Sequence, residues 1–339
     1  MSQPIIAGSP WPQNALEHIG ACPACGHRGI DSSAYEGVVD VLGGTPGRWN
    51  LYECARCRSL YLNPRPAGLG IPLAYQTYYT HEREIGGDAM ATNSIVGRLV
   101  AGYLSDRFGL RTDRALAAGR WLFLLIPPLR HQLDYFLRHL PRKPGVLLDV
   151  GCGNGAFLQR ATKAGWDAEG IEPDESAARV ARQTGCSVET ETLDSYATSK
   201  RFDVVTMSHV IEHVPDPRRA VKKAYDILAD GGMLWMATPN VCSPGRYHYG
   251  ADWRGLEVPR HTAIFTAEAL SNMLREAGYQ QIRFHCRGRG ARYSIVQSEA
   301  SASRRGISKP RLPVWWVDLR AGISPRAGEE WVVTARKPQ

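Results

Sequence analysis

The heptapeptide D-V-G-C-G-N-G occupies residues 149–155, where it joins an apolar strand pattern to a helix pattern. An acid, Glu172, closes the strand pattern that follows. Glycines at such a turn let the backbone approach a ligand, and the N-terminus of the helix adds its own polarity. A carboxylate at the end of the second strand can accept hydrogen bonds from two ribose hydroxyls. The sequence therefore predicts a site for a cofactor that carries a nucleoside.

Strand and helix patterns alternate around this turn. The predicted strands cover residues 146–150, 168–172, 187–189, 202–208, 233–237, 281–286 and 331–335. The predicted helices cover residues 155–164, 175–183, 217–228 and 267–277. This alternation is typical of an α/β fold with a doubly wound, Rossmann-like parallel sheet, in which ligands bind at the carboxyl ends of the strands. Residues 300–326 are basic, and we expect an irregular insertion there between the last two strands.

The turn by itself leaves two cofactors open. Gly151, Gly153 and Ala156 satisfy a degenerate dinucleotide fingerprint, which is compatible with NAD. Asp149 lies two residues before the first glycine, where its carboxylate would repel a pyrophosphate but can hold an amino group. S-adenosylmethionine (SAM) carries such an amino group, and the G-x-G-x-G spacing also favours it.

Three more segments follow the turn: F-D-V-V at 202–205, H-V-I-E-H-V-P-D-P at 209–217 and L-A-D-G-G-M-L at 228–234. With them, residues 145–336 resemble the class I SAM-dependent methyltransferases. The resemblance implies a cofactor site whose residues lie along the carboxyl edge of the sheet. The residues that it assigns are Asp149, Gly151 and Gly153 at the methionine and ribose end, Glu172 at the ribose hydroxyls, and Pro173 and Leu193 beside the adenine. His209 directly follows the fourth predicted strand, so we expect it to face the cofactor cleft.

Two Cys-x-x-Cys pairs precede this region, Cys22 with Cys25 and Cys54 with Cys57. Four thiolates bind Zn²⁺ tetrahedrally in closed structural sites, and a predicted hairpin (34–41 and 48–52) fills the gap between the pairs. A redox pair or two disulfides are the alternatives. The pairs, the tyrosines at 75, 78 and 79, and the segments 252–257 and 259–261 resemble a bacterial methyltransferase subgroup with a zinc-ribbon-like lobe.

We divide the chain into a leader with the four-cysteine module (1–66), a helical cap with its linker (67–144) and a methyltransferase domain (145–339). The first 20 residues are predicted to be a loose leader. Residues 95–140 mix apolar side chains with arginines, which allows an interfacial helix pair on anionic lipid or a cap packed on the main domain. The cap is the favoured interpretation, because apolar stripes on helices more often face a core.

Histidines are the candidate catalytic bases, because their pKa lies near neutrality. Those in question are His209, His213 and His261, the last in a loop predicted to cover the substrate. The segment 209–213 is similar to the Glu-x-x-Glu-His segment of ubiquinone-type O-methyltransferases, but a histidine replaces the first acid, which disfavours Mg²⁺. Tyr247, Trp253 and Arg260 belong either to a substrate rim, since aromatics stack on rings and arginine holds anions, or to a packed loop with incidental aromatics.

The 339 residues carry a net charge of +8, with the arginines scattered. Nucleic acid is therefore a less favoured partner than a small molecule or glycan, and peripheral membrane contact is allowed. The opening residues lack the regions of a secretory signal, so we expect a cytoplasmic protein. The sequence predicts a SAM-dependent methyltransferase with structural zinc that methylates oxygen, or else carbon, of a small molecule, sugar or lipid-linked glycan. The alternative is an RNA base methyltransferase whose zinc module binds RNA.

Overall fold

The computed structural model describes residues 11–42, 44–75, 94–110 and 115–339. Its strands are β1 (Leu16–Glu17), β2 (Ser32–Val38), β3 (Trp49–Glu53), β4 (Leu60–Leu62), β5 (Arg65–Pro66), β6 (Val146–Val150), β7 (Asp167–Ile171), β8 (Ser187–Glu189), β9 (Phe202–Ser208), β10 (Leu228–Pro239), β11 (Ala263–Ile264), β12 (Gln280–His285) and β13 (Glu330–Arg336). Its helices are α1 (Gly70–Tyr75), α2 (Ile95–Phe108), α3 (Ala118–Leu124), α4 (Pro127–Phe136), α5 (Ala156–Lys163), α6 (Glu175–Gln183), α7 (Pro217–Ile227), α8 (Pro244–Tyr249), α9 (Ala267–Ala277), α10 (Ala291–Arg304) and α11 (Val314–Ala321).

A seven-stranded sheet with the order β12-β13-β10-β9-β6-β7-β8 forms the centre of the molecule. All neighbouring pairs are parallel except those of β13, which runs antiparallel to β10 and to β12. Strands β6 and β9 are almost wholly buried, as expected for strands covered on both faces. The predicted doubly wound α/β fold is confirmed, and the switch in strand order beside β6 lies at its carboxyl edge.

The helices around the sheet begin where side chains can cap them. Asp174 accepts hydrogen bonds from two backbone amides at the start of α6, and Asp216 and Thr266 each accept one at the starts of α7 and α9. Such caps satisfy amides that have no partner within the helix. The predicted helices at these three places are confirmed to within one residue at each end.

The four-cysteine module shares its sheet with the main domain. Strands β2, β3 and β4 form a sheet that β11 extends, in the order β11-β4-β3-β2. The Thr266 hydroxyl, just after β11, also donates to the Cys57 carbonyl at 2.9 Å. Segments far apart in sequence therefore hold the module against the methyltransferase core, with which its cysteines form one apolar cluster.

The prediction of a loose leader is wrong for residues 11–20; residues 1–10 lie outside the described part. Trp11 is buried, and its ring lies edge-on to Trp49 at 5.0 Å. Strand β1 pairs with β5 in a second, small sheet. The sequence carries no long apolar run here, because one tryptophan supplies most of the buried surface.

The cap interpretation of residues 95–140 is confirmed for the described residues. Helices α2 and α3 cross so closely that a Cβ on Gly102 or Gly119 would lie 1.9 Å from a carbonyl oxygen of the other segment. Leu104 and Phe108 pack with Phe157 and Trp166 of the main domain. No helix among the described residues is long and apolar enough to span a membrane.

The prediction of irregular structure at 300–326 is wrong in part. The segment is an insertion between β12 and β13, as predicted, but it contains the end of α10 and all of α11. The buried side of α10 consists mainly of small residues, namely Ala291, Ile295, Ser298, Ser301 and Ala302. An alanine and serine stripe carries little apolar periodicity, so the helix pattern is weak in the sequence.

Candidate functional site

The glycine turn directly follows β6 and lies at the carboxyl edge of the sheet. Gly151 and Gly153 have φ values of +66° and +55°, which favour glycine. A Cβ on Gly151 would also lie 2.7 Å from the Val210 side chain. Glu172 is buried and fixes the turn, because its carboxylate accepts from the Gly153 amide at 2.8 Å and the Asp174 amide at 3.0 Å. Burial raises the pKa of Glu172 and these hydrogen bonds oppose the increase.

Asp149 is fully buried on β6, and the Arg138 guanidinium is already in contact with it. One carboxylate oxygen also accepts from the Thr206 hydroxyl at 2.8 Å, whereas the other oxygen, Oδ2, has no hydrogen-bond partner. Burial raises the pKa of Asp149, and Arg138 counteracts this. An unpaired buried carboxylate oxygen costs free energy, so this site suits a cationic amino group.

Arg138 is a residue that the sequence interpretation missed. It precedes the linker into β6 and stacks on Phe157, 3.8 Å from the ring centre to the guanidinium carbon. Arg138 and His139 both have positive φ, which is uncommon for residues with side chains. In the sequence Arg138 is one of several cap arginines, and nothing in the pattern marks it as the partner of Asp149.

His209 follows β9 directly and bridges two carboxylates at the same edge. Its Nδ1 lies 3.1 Å from Glu212 and its Nε2 lies 2.9 Å from Glu330. The partial loss of water opposes the charged form, but these contacts outweigh it and raise the pKa of His209 well above its usual value. Glu330 also contacts Arg287 and accepts from the Tyr135 hydroxyl at 3.1 Å. Burial raises the pKa of Glu330, but Arg287 and then His209 lower it to about 2.

His213 and His261 lie in a buried loop with ring centres 4.6 Å apart. Because Nδ1 of His261 lies 2.8 Å from the Gly255 carbonyl, it must donate, and His213 contacts Tyr75 through Nδ1 at 2.9 Å. Burial lowers the pKa of both residues, that of His261 to about 4. The His261 side chain is inside the protein, and the prediction that its loop covers the substrate stays a prediction.

The segment 209–213 is a second candidate metal site. The structure places ligand atoms of Glu212, His213 and His261 within 4.8 Å of one another. It does not bring His209 into this group, since both of its nitrogens face the carboxylates of Glu212 and Glu330. Both Glu212 oxygens also have protein partners, His209 and the Thr238 hydroxyl.

The predicted substrate rim is exposed only at Tyr247, whose side chain is 73% accessible. Trp253 is fully buried and donates through Nε1 to Glu329 at 2.9 Å. Arg260 is also buried, and it contacts Asp40 at 2.6 Å and Glu257 at 3.0 Å. The expected exposure of Trp253 and Arg260 is therefore wrong, because the loop packs inward and its charges are paired. Tyr247 stays a prediction.

The two residues predicted beside the adenine lie after neighbouring strands. Pro173 follows β7, and Leu193 follows β8 and is buried in the core. Asp194, next to it, pairs with Arg219 at 2.7 Å. Their roles toward the adenine stay predictions.

The four cysteine sulfurs of the N-terminal module form a compact cluster within 4.8 Å of one another. Cys22 Sγ lies 3.7 Å from Cys57 Sγ, and Cys25 Sγ lies 3.6 Å from Cys54 Sγ. A tetrahedral Zn²⁺ with Zn–S bonds of about 2.3 Å places its sulfurs about 3.8 Å apart. The disulfide alternative is wrong here, because all eight cysteines are free and these separations far exceed an S–S bond of about 2.05 Å.

Each Cys-x-x-Cys pair is closed by the same backbone turn. The Gly26 amide donates to the Cys22 carbonyl at 2.8 Å, and the Arg58 amide donates to the Cys54 carbonyl at 2.9 Å. Gly26 and Arg58 both have positive φ. Two equivalent turns thus point four thiols at one centre, which fits a structural zinc site.

Known methyltransferases are similar to this chain in sequence. A family profile described as a methyltransferase domain matches residues 122–283. The ubiquinone biosynthesis O-methyltransferase of Thiobacillus denitrificans is 34% identical over 169 residues, which cover 46% of this chain and 72% of that protein. That of Coxiella burnetii is 33% identical over 123 residues, which cover 34% of this chain and 52% of the relative. The chain thus spans about half the length of several such relatives.

A SAM-dependent methyltransferase structure from Mesorhizobium loti superimposes with a TM-score of 0.43 and 19% identity, over 61% of this chain and 98% of that one.

Proposed function

Because the chain belongs to the SAM-dependent methyltransferase family, we propose that it transfers the methyl group of SAM to a hydroxyl oxygen of a small molecule, a sugar or a lipid-linked glycan. The observation that carries the proposal is the juxtaposition of Asp149, Glu172 and His209 at one edge of the sheet, around the glycine turn. Transfer to oxygen, in preference to carbon, is supported by the similarity to ubiquinone biosynthesis O-methyltransferases.

The cofactor cradle consists of the glycine turn with Asp149 and Glu172, and these residues fit the groups that SAM carries. The unpaired Asp149 oxygen suits the amino group of the methionine moiety, while Arg138 contacts the other oxygen of the same carboxylate. Glu172 suits the ribose hydroxyls, once it exchanges a backbone amide for them. When bound, SAM supplies an activated methyl group on a sulfonium.

The protein's part in the transfer is mainly to hold the acceptor hydroxyl in line with the methyl group. With SAM held at Asp149 and Glu172, a C–O bond would form as the S–C bond breaks, giving S-adenosylhomocysteine and the methyl ether, with the hydroxyl proton released to water. Both ring nitrogens of His209 contact Glu212 and Glu330, so His209 holds these carboxylates at the edge of the cleft, and its raised pKa makes it a poor base for the acceptor proton. His213 and His261 hold the buried loop behind it.

The zinc module acts as a structural element in this proposal. Thr266 donates to Cys57, and Arg65 donates to the Pro215 carbonyl at 2.7 Å, beside the segment 209–217. These contacts support the loop that carries His209. They give the module a structural role that does not require RNA binding. A cytoplasmic location suits the module, because thiols stay reduced there.

The test is transfer of labelled methyl from SAM by the purified chain into RNA, lipid-glycan and small-molecule fractions of a cell extract. We expect label in the lipid-glycan or small-molecule fraction, as an ether stable to mild base. Label confined to RNA would contradict the proposal and assign the zinc module to RNA binding. A variant with Asp149→Asn serves as the matched negative control.

A further inference from the structure

A cavity of about 740 Å³ opens between the cap and the insertion. Pro128 and Leu129 of α4 line one side, and Trp315 and Leu319 of α11 line another. The two parts touch closely at Gly288, where a Cβ would lie 2.3 Å from the Pro128 carbonyl oxygen. A doubly wound sheet requires neither part, so the cavity is an addition to the fold.

Both walls lead to the site described above. Strand β12 runs parallel to β10, because both are antiparallel to β13, so the insertion leaves the sheet at the edge where β6 and β9 end. It returns at Glu330, which contacts His209. On α4, Tyr135 donates to the same Glu330, and the stretch from Pro128 to Tyr135 spans about 10 Å of helix. Helix α4 and the insertion thus connect the cavity with the contacts of His209.

The charge of the cavity is positive. Arg289, Arg292 and Arg311 line it, with a single carboxylate, Asp318. Asp318 accepts from the Gly290 and Ala291 amides at 3.0 Å each and so caps α10, while Arg311 pairs with Glu299 at 3.1 Å. Within the described ranges, Arg289 and Arg292 have no carboxylate at ion-pair distance. Their exposed guanidinium groups suit an anion with several oxygens, such as a phosphate.

The rest of the wall is apolar and faces water. The side chain of Trp315 is 68% accessible and that of Leu319 is 47% accessible. Leu125 and Trp121, just before α4, are also exposed. A neighbouring set of exposed indole and aliphatic groups beside arginines is typical of a surface that receives an amphiphile.

We propose that this cavity binds the methyl acceptor, and that the acceptor is an amphiphile with a phosphate on an apolar chain. The phosphate lies at Arg289 and Arg292, the chain lies along Trp315 and Leu319, and the hydroxyl to be methylated reaches His209. The inference rests on the proposed function, because it names the substrate class of the same site. It also gives a role to the cap and the insertion, whose helices build both walls.

The test is calorimetric titration of the full chain with monomeric decyl phosphate. We expect saturable binding that Arg292→Ala weakens about tenfold, the size of one lost charge-assisted contact. Trp315→Ala should weaken it by a similar factor. Arg56→Ala removes an exposed arginine of the four-cysteine module and should leave binding unchanged, and melting temperatures confirm that each variant folds. Decanol and inorganic phosphate, which each carry half of the chemistry, should bind at least tenfold more weakly.

Three results would overturn the inference: equal affinity of the wild type and Arg292→Ala, phosphate alone binding as tightly as decyl phosphate, or binding only to vesicles. The last is tested with phosphatidylglycerol and phosphatidylcholine vesicles, because a bilayer is the other source of a phosphate on an apolar chain. A separate titration with SAM distinguishes the two proposals. Absence of SAM binding contradicts the proposed function itself, whereas SAM binding without decyl phosphate binding contradicts only the assignment of the cavity.

Discussion

The four-cysteine cluster and the cofactor cradle differ in what their polar groups do in the folded chain. The cluster directs four thiols at one point, with sulfur separations of 3.6 and 3.7 Å across the pairs. In the cradle, Asp149 contacts Arg138, and Glu172 accepts from two backbone amides. The thiols of the cluster face one another, whereas the acids of the cradle contact an arginine and two backbone amides.

This difference separates a structural site from a binding site. A closed set of thiolates depends on its metal for stability, because the site does not exist in the unfolded chain. A cradle that must accept and release a cofactor at each turnover needs partners that it can exchange. We therefore expect the module to respond mainly to metal, and the cradle mainly to cofactor and pH.

The largest expected effect is loss of the metal. Cys54→Ser should release zinc and lower the free energy of unfolding by about 5 kcal/mol, a part of what structural zinc contributes in small domains. Metal content by mass spectrometry and chemical denaturation measure the two effects together. Cys242→Ser changes an exposed cysteine and serves as the control. If the purified wild type contained no metal and were no more stable than Cys54→Ser, the cluster would not be a zinc site.

The next effect concerns the exchange of partners in the cradle. Arg138→Met leaves the buried Asp149 without its counter-ion, which should destabilise the cofactor-free protein by about 3 kcal/mol. Because the amino group of SAM replaces the lost cation, SAM should raise the melting temperature of the variant more than that of the wild type. If SAM raised the melting temperature of both proteins equally, the cofactor would not contact the same carboxylate as Arg138. Arg130→Met, on the cap helix, is the matched control.

The smallest effect is a dependence on pH that belongs to the cleft. The raised pKa of His209 means that its ion pairs stabilise the folded state fully below the unfolded pKa of about 6.5 and lose this contribution as pH rises through the folded value. His209→Gln should therefore cost about 1 kcal/mol at pH 6, since the pair is partly exposed, and less at high pH. Unfolding of both proteins at several pH values measures the difference. If the loss of unfolding free energy on His209→Gln grew with pH, His209 would not be a charged partner of Glu212 and Glu330.

Sequence patterns predicted the parts of this molecule that depend on local rules. The strand–turn–helix unit that carries the glycine turn and Glu172 is predictable because it lies within about 25 residues of chain. The cysteines were grouped correctly because their spacing allows one tetrahedral centre. The contacts of Arg138 with Asp149, and of Glu330 with His209, join segments that only the folded sheet brings together.

Burial was the main source of error. Trp253 and Arg260 have the composition of a recognition surface, but Asp40 and Glu257 neutralise the arginine inside the protein. The sequence cannot distinguish an arginine that pairs with a carboxylate in the core from one that binds an anionic ligand. The partner of the guanidinium lies elsewhere in the chain or outside the protein. For the same reason Arg138 was not recognised.

The most direct test of the account is calorimetric titration of SAM into the wild type and Glu172→Gln. We expect one SAM site per chain in the wild type. The variant should bind about 100-fold more weakly, because it loses a charged acceptor worth about 3 kcal/mol, and should keep its zinc. Glu189→Gln, an exposed acid at the end of the next strand, should bind like the wild type. Equal affinity of the wild type and Glu172→Gln would contradict the cradle at the centre of this account.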